Sequence, residues 1–428
     1  MNKAEQIIEL ISQGIWGYPV LILMIGGGIY LTFKMKFPQI HFIRIIKSVK
    51  KSLKPSDCST KNSITQFQGF STALAATVGT GSIVGVGTAM AIGGAGAVFW
   101  MWVSAFFGMA LSYTENILGV KFGNKTGITG AMSYIEKGLD SKWLAILFAI
   151  FCTLASLGMG NMTQSNSISS ACQKTFNIPP FICGIALTVI IAFIILGKNH
   201  LGKCTEKLVP IMSLFYIIGS LIVIIKFHDE IIPAFEKIMK SAFGLKSTVG
   251  GTVGFAIKKA CITGLRRGAF SNEAGLGSTV AVHSSCEIKD PETQGCWGML
   301  EVFIDTMIIC TLTALVILVS GVNINNGNSD VICSAFSKGL GNFGGIFMAI
   351  SMILFAFATI IGWFFIGKSA WEYVLPKKTT AYKILFLICV LLGSLSSLSI
   401  VWGISDIFNG LMAIPNLIAI LLLSISKD

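Results

Sequence analysis

Apolar runs long enough to cross a bilayer recur along nearly all of this chain, and no other feature limits its fold so severely. About 20 predominantly apolar residues cross the hydrocarbon core as an α-helix. Runs of that length lie near 14–33, 69–93, 97–118, 143–172, 180–197, 208–226, 252–283, 296–320, 345–367, 383–401 and 406–424. Hydrophobic residues make up 53% of the 428 and charged residues only 12%, where a soluble domain carries about 25% charged. Lipid satisfies no backbone N–H or C=O, so only helices and closed barrels span it. Barrel strands alternate and do not give unbroken runs of this length. The expectation is an all-α polytopic membrane protein of about eleven spans.

The formal net charge of +12 raises nucleic acid as a partner, but the distribution of the basic residues argues against it. With alternate loops assigned to opposite sides, one side collects about 21 Lys and Arg and the other about 7, with 4 inside the seventh span. The positive-inside rule makes the richer side cytoplasmic, which puts the N-terminus outside and the C-terminus inside. The excess faces anionic membrane lipid. Stretch 37–53, FPQIHFIRIIKSVKKSL, interleaves apolar and basic residues at helical spacing and predicts an interfacial helix. The nearly neutral MNKAEQIIELISQ ahead of the first span does not read as a cleaved signal. Eleven cysteines without CxxC or metal spacing read as small buried apolar residues.

After residues 1–68, which carry one span and the interfacial helix, ten spans divide five and five: 69–226, a connector 227–251, and 252–424. An odd number per half makes the second half enter the membrane from the opposite side, the inverted-repeat plan of many secondary transporters. Each half opens with a Gly-interrupted stretch. The first reads GFSTALAATVGTGSIVGVGTAMAIGG, the second GLRRGAFSNEAGLGS. Close helix packing alone would also use small residues, but matched clusters, one containing Glu273, point to broken helices. A break frees backbone groups that must face protein, ligand or ion. Half-helix N-termini supply donors for a carboxylate, and freed carbonyls supply oxygen ligands for sodium. Gly275 and Gly277 offer the turn, while Asn272 and Glu273 can hold it open by hydrogen bonding. Thr359 and Trp363 lie four apart, hence on one helical face.

At these residues the chain resembles the alanine or glycine:cation symporters, a branch of the LeuT-like superfamily. TVGTGSIVGV (77–86), GNMTQSNSI (160–168), RGAFSNEAGLGS (267–278), GMLEVFIDT (298–306), FAFATIIGW (355–363) and NGLMAIPNLIA (409–419) carry the likeness, in order along the chain. The resemblance implies a LeuT-like 5+5 inverted repeat behind one extra helix, no enzymatic chemistry, and symport of a small neutral amino acid, alanine or glycine, with Na⁺ across the membrane of a bacterial or archaeal cell. It further implies a carboxylate cradle at Thr80, Gly81 and Ser82, and a second break offering Phe270, Ser271 and Asn272. Gln164 would reach the ligand's charged groups, and Thr359 and Trp363 would close the side-chain end of a small pocket. The Na⁺ site would use carbonyls of Ala75 and Val78 facing the Thr359 hydroxyl.

Four positions depart from the family pattern: Ala358 where a hydroxyl is common, Ser82 for Asn, Ser112 for Lys, and Lys368 for Glu. Glu115, Glu301 and Asp305 are further charges in or near apolar spans, where ionisable residues are costly and usually functional. The four histidines, His41, His200, His228 and His283, fall at span ends or in loops and share no ligand spacing. Alternatives within transport are proton coupling or a preference for glutamine; a channel is a more distant one. The oligomeric state stays open.

Overall fold

The computed structural model describes residues 3–53, 64–197, 200–244, 250–287, 290–324, 329–396 and 398–425. Lys54 and Lys61, two of the basic residues counted on the richer side, therefore lie outside the described residues. Among the described residues the regular secondary structure is all helical, apart from one isolated bridge between Ile64 and Cys286.

The N-terminal part comprises α1 (Lys3–Ile15), α2 (Tyr18–Lys34) and α3 (Phe42–Ser52). The stretch expected as the first half then runs through α4 (Gln66–Thr77), α5 (Val86–Gly93), α6 (Ala97–Thr126), α7 (Met132–Gly138), α8 (Lys142–Leu157), α9 (Thr163–Phe176), α10 (Pro180–Leu196) and α11 (His200–Lys226). The connector contains α12 (Ile231–Ala242). The second half holds α13 (Gly250–Asn272), α14 (Val280–His283), α15 (Pro291–Val302), α16 (Thr311–Val319), α17 (Ser329–Leu340), α18 (Phe343–Val374), α19 (Thr379–Leu395) and α20 (Leu398–Ile425). Seven described helical stretches are long and apolar enough to cross a membrane, or eight when the bent pair Gln66–Thr77 and Gly81–Gly93 is one span. The α13 helix falls outside that set because Lys258, Lys259, Arg266 and Arg267 interrupt its apolar sequence.

Local chemistry explains where the helices start. Thr65 and Gln68 form a reciprocal capping box at the head of α4. Asp290 accepts from the Thr293 N–H at 2.9 Å and Pro291 opens α15. Three helical passages contain π-helical turns, Gly81–Gly85, Gly158–Met162 and Phe303–Cys310; the first and third meet each other, and the second packs on α18, α19 and α20. Such bulges free carbonyls from the regular ladder and are frequent at functional sites.

Small residues set how closely the helices approach. A Cβ at Gly264 would fall 2.3 Å from the Ala97 carbonyl oxygen, so α13 lies directly on α6. The expected interfacial helix forms as α3. It buries Ile45 and Val49 against the bundle and leaves Ile43, Lys47, Lys50 and Lys51 exposed. Its attachment to α15 is polar as well: Arg44 pairs with Glu292 at 3.0 Å, and the Trp297 indole N–H donates to Ser52 at 3.0 Å.

Candidate functional site

Two interruptions of helix meet at the middle of the molecule. The first lies between α4 and the helical stretch beginning at Thr80, with Val78 and Gly79 between them and a bend of 47°. In an unbroken helix the Gly79 N–H would serve the Ala75 carbonyl; here it bonds Thr77 O at 2.9 Å. The Ser82 N–H, which would serve Val78, bonds Gly79 O at 3.2 Å. Ala75 and Val78 thus lose their helical donors, as their expected ligand role requires. Thr359 lies against the same break, since a Cβ on Gly79 would come within 2.5 Å of its hydroxyl oxygen. Gln164 reaches the break too: its Oε1 accepts from the Thr80 N–H at 3.4 Å and its Nε2 donates to Met159 O at 3.1 Å.

The turn of the second interruption lies at the expected glycines: the unwound stretch is 273–279, and Phe270, Ser271 and Asn272 form the last turn of α13 before it. These three residues contribute carbonyls, because the donors due to them turn elsewhere. Ala274 N–H goes to the Asn272 side chain (3.1 Å), Gly275 N–H to Glu115 (3.4 Å) and Leu276 N–H to Glu273 O (3.1 Å). Glu273, Gly275 and Gly277 adopt φ of +54°, +80° and +74°. The glycines meet that demand at no steric cost. Glu273 and Asn272 do hold the break. The Glu273 carboxylate accepts from Ser278 Oγ at 2.6 Å and from the Trp363 indole at 2.9 Å. Glu115 accepts from Gly275 N–H, from Gly277 N–H at 3.2 Å and from Asn416 at 3.0 Å. Trp363 is fully buried, with its ring against Gly160, where a Cβ would stand 2.3 Å away.

Asp305 joins the two breaks. Its carboxylate accepts from Ser82 at 2.5 Å, from Ser271 at 2.8 Å and from Thr306 at 2.8 Å, and Ser82 and Ser271 lie 3.1 Å apart. The Thr313 hydroxyl donates to Ser82 O at 3.0 Å. The sequence marked Asp305 as an intramembrane charge without placing it here. The available signal was its spacing from Glu301, four residues along one helix and so on one face. The Thr80 hydroxyl is buried without a partner in this cluster.

The arginines that interrupt α13 are accounted for beside the second break. Arg266 pairs with Asp406 at 2.5 Å and donates to Ser12 at 2.5 Å. Arg267 lies over the rings of Phe270 (5.7 Å) and Trp402 (5.5 Å), which are stacked on each other. His283 stands at a span end, as expected, and is fully buried there, bonded to Glu301 and Gln294.

Solved structures share this architecture. The chain superposes on MhsT in complex with L-phenylalanine with a TM-score of 0.63, covering 85% of this chain and 89% of that one at 14% identity, which shows a common LeuT-type fold. Sequence relatives are much nearer. The sodium/alanine symporter AgcS of Methanococcus maripaludis is 39% identical over 98% of this chain and 94% of its own length. The probable sodium/glutamine symporter GlnT of Bacillus subtilis is 35% identical over 98% and 88%. The sequence pattern of the sodium:alanine symporter family matches residues 1–427. With broken helices at its centre and that match from end to end, the chain belongs to the sodium:alanine symporter family and is a cation-coupled amino-acid transporter, not an enzyme.

Proposed function

We propose that this protein imports a small neutral amino acid, alanine or glycine, by symport with Na⁺. The observation that carries the reading is Asp305 between the two breaks. A buried carboxylate held by three hydroxyls offers a negative charge where an ammonium group or a cation can meet it. Helix breaks on either side would supply the complementary groups: for a carboxylate, the Gly81 N–H with those of Thr80 and Ser82 once the ligand displaces Gln164 Oε1 and Gly79 O from them, and for the ammonium, the carbonyls of Phe270, Ser271 and Asn272. Gln164 joins the first set. Trp363, tied to Glu273, and Thr359 would bound the side-chain end, and a bulky indole at that end favours a small side chain.

For the ion, the freed carbonyls of Ala75 and Val78 and the Thr359 hydroxyl form an oxygen set of the kind a hard cation takes. The basic asymmetry of the loops supports an N-terminus outside and a C-terminus in the cytoplasm, with α3 along the inner membrane surface against anionic lipid. Purified protein in liposomes tests the reading directly. Labelled alanine should accumulate with an inward sodium gradient and continue when a protonophore collapses the proton gradient. Uptake that ignores sodium and stops with the protonophore would overturn it. A panel of competing amino acids in the same assay separates alanine and glycine from glutamine.

A further inference from the structure

The mechanism above leaves one buried ionisable cluster unused. His283 in α14 is fully buried, and Glu301 in α15 is 1% exposed. His283 Nε2 lies 3.1 Å from Glu301 Oε2, and its Nδ1 lies 3.1 Å from Gln294 Oε1. Gln294 in turn forms a reciprocal amide pair with Gln66: Gln66 Nε2 donates to Gln294 Oε1 at 3.0 Å, and Gln294 Nε2 donates to Gln66 Oε1 at 2.8 Å. The cluster ties the helix beyond the second break to the start of α4 and to α15.

The hydrogen count in this cluster is constrained. With Gln294 Oε1 facing Nδ1, that ring nitrogen must carry a hydrogen. Nε2 and the Glu301 oxygen are then two acceptors facing each other unless a proton sits between them. Shared in that way, the pair is neutral as a whole. The other Glu301 oxygen is buried beside the hydroxyls of Thr77 and Thr279 and makes no well-aligned hydrogen bond. Glu115 on α6, Glu273 at the break and Asp305 beyond Glu301 all lie within electrostatic reach of Glu301. The described part of α4 carries no ionisable side chain. On α18, Lys368 and Glu372 line a cavity of about 380 Å³ that also meets Ser285, two residues past the histidine.

We propose that His283 and Glu301 form a proton-binding site, distinct from the amino-acid and sodium sites, that fastens the segment after the second break. Release of the proton leaves an ionised Glu301 and a neutral imidazole with its hydrogen on Nε2. Nδ1 becomes an acceptor, so Gln294 must turn its amide hydrogens toward it, and Gln66 must reverse in step. The departing proton goes to the solvent of the Ser285 cavity. One proton is thereby coupled to the amide pair that bolts α4 to α15. The inference rests on the carrier reading and on the orientation proposed above, which makes this end of the bundle cytoplasmic.

The test uses full-length protein in liposomes at a fixed sodium gradient and fixed external pH, with internal pH stepped from mildly acidic to mildly alkaline. Alanine uptake should change with internal pH by up to about tenfold per unit, the limit for one linked proton. Glu301→Gln, which keeps the shape and removes the shared proton, should flatten the profile. Gln294→Met, which spares the pair and removes the amide that reads it, should move the midpoint. Normal uptake with a flat wild-type profile overturns the site, as does a Glu301→Gln profile as steep as wild type. Absence of uptake at every pH defeats the carrier reading instead. The proton is then followed by the pH-dependent fluorescence that Trp297→Phe removes, one turn from Glu301, and a signal unchanged by Glu301→Gln overturns the proposal there too.

Discussion

The two breaks solve the same problem by opposite means. The first is only Val78–Gly79, and no carboxylate bonds its backbone; its boundaries are a glutamine amide, a threonine and the absence of a Cβ on Gly79. The second runs through 273–279, contains two left-handed glycines, and is fastened by Glu115 and Glu273 through five hydrogen bonds to backbone, amide, hydroxyl and indole partners. The Asn416 amide, bonded to Glu115, adds another by donating to Gly275 O. At the second break, carboxylate and amide side chains take freed N–H groups. At the first, the N–H groups turn to nearby backbone carbonyls and to the neutral Gln164 amide. The lesson is that one break is built as a wall fastened by buried carboxylates, and the other is tied by backbone turns and one neutral amide.

The strongest way to break this comparison is Glu115→Leu. It leaves the Gly275 and Gly277 N–H groups and the Asn416 amide without their acceptor, at about 1–3 kcal/mol each, out of a typical total stability of about 5–15 kcal/mol. We expect a large fall in thermal midpoint and loss of monodisperse protein on size exclusion. Wild-type stability would mean that Glu115 does not hold the wall. Asp305→Asn should spare folding and strike function. Charge-assisted hydrogen bonds are worth about 1.5–3 kcal/mol, so half-saturating alanine should rise about 10- to 100-fold, read from uptake kinetics.

Gly79→Ala probes the first break alone. Its backbone is not in the left-handed region, so the effect is steric: a methyl group displaces the Thr359 hydroxyl. Half-saturating sodium should rise about tenfold, equivalent to roughly 1.4 kcal/mol, with melting temperature little changed. A stability loss as large as that of Glu115→Leu would erase the distinction between the breaks. The smallest effect is expected for Ala358→Ser, one residue before Thr359. An added hydroxyl oxygen beside a hard cation should lower half-saturating sodium by a few-fold, and an unaltered value would place residue 358 away from the ion.

Much of this was legible in the residues. Long apolar runs gave the helices, and matched glycine clusters gave the breaks, because lipid and helix geometry permit few other meanings. The donor set around Glu273 and Asn272 followed from their position. What escaped were facts about partners far apart in sequence. Which carbonyls are freed depends on where the competing N–H groups go, as with Gly275 turning to Glu115 on another helix. Asp305 bridges two breaks that only tertiary packing brings together. His283 was read only as ending an apolar stretch; its burial against Glu301 and Gln294 depends on how α14 packs after the unwound segment. α12 and α17 were invisible for a different reason: short amphipathic helices in connectors read as loops by length alone.

One property of the Asp305 cluster bears on how fast the carrier can turn over. Its three donors, Ser82, Ser271 and Thr306, are all hydroxyls. A hydroxyl carries one hydrogen and two lone pairs and exchanges its role by spinning about a single bond. On the proposed reading, a cation reaching Asp305 would find oxygen ligands by rotation of three O–H groups, with no side chain leaving its rotamer. Loading and unloading would then face a low intrinsic barrier.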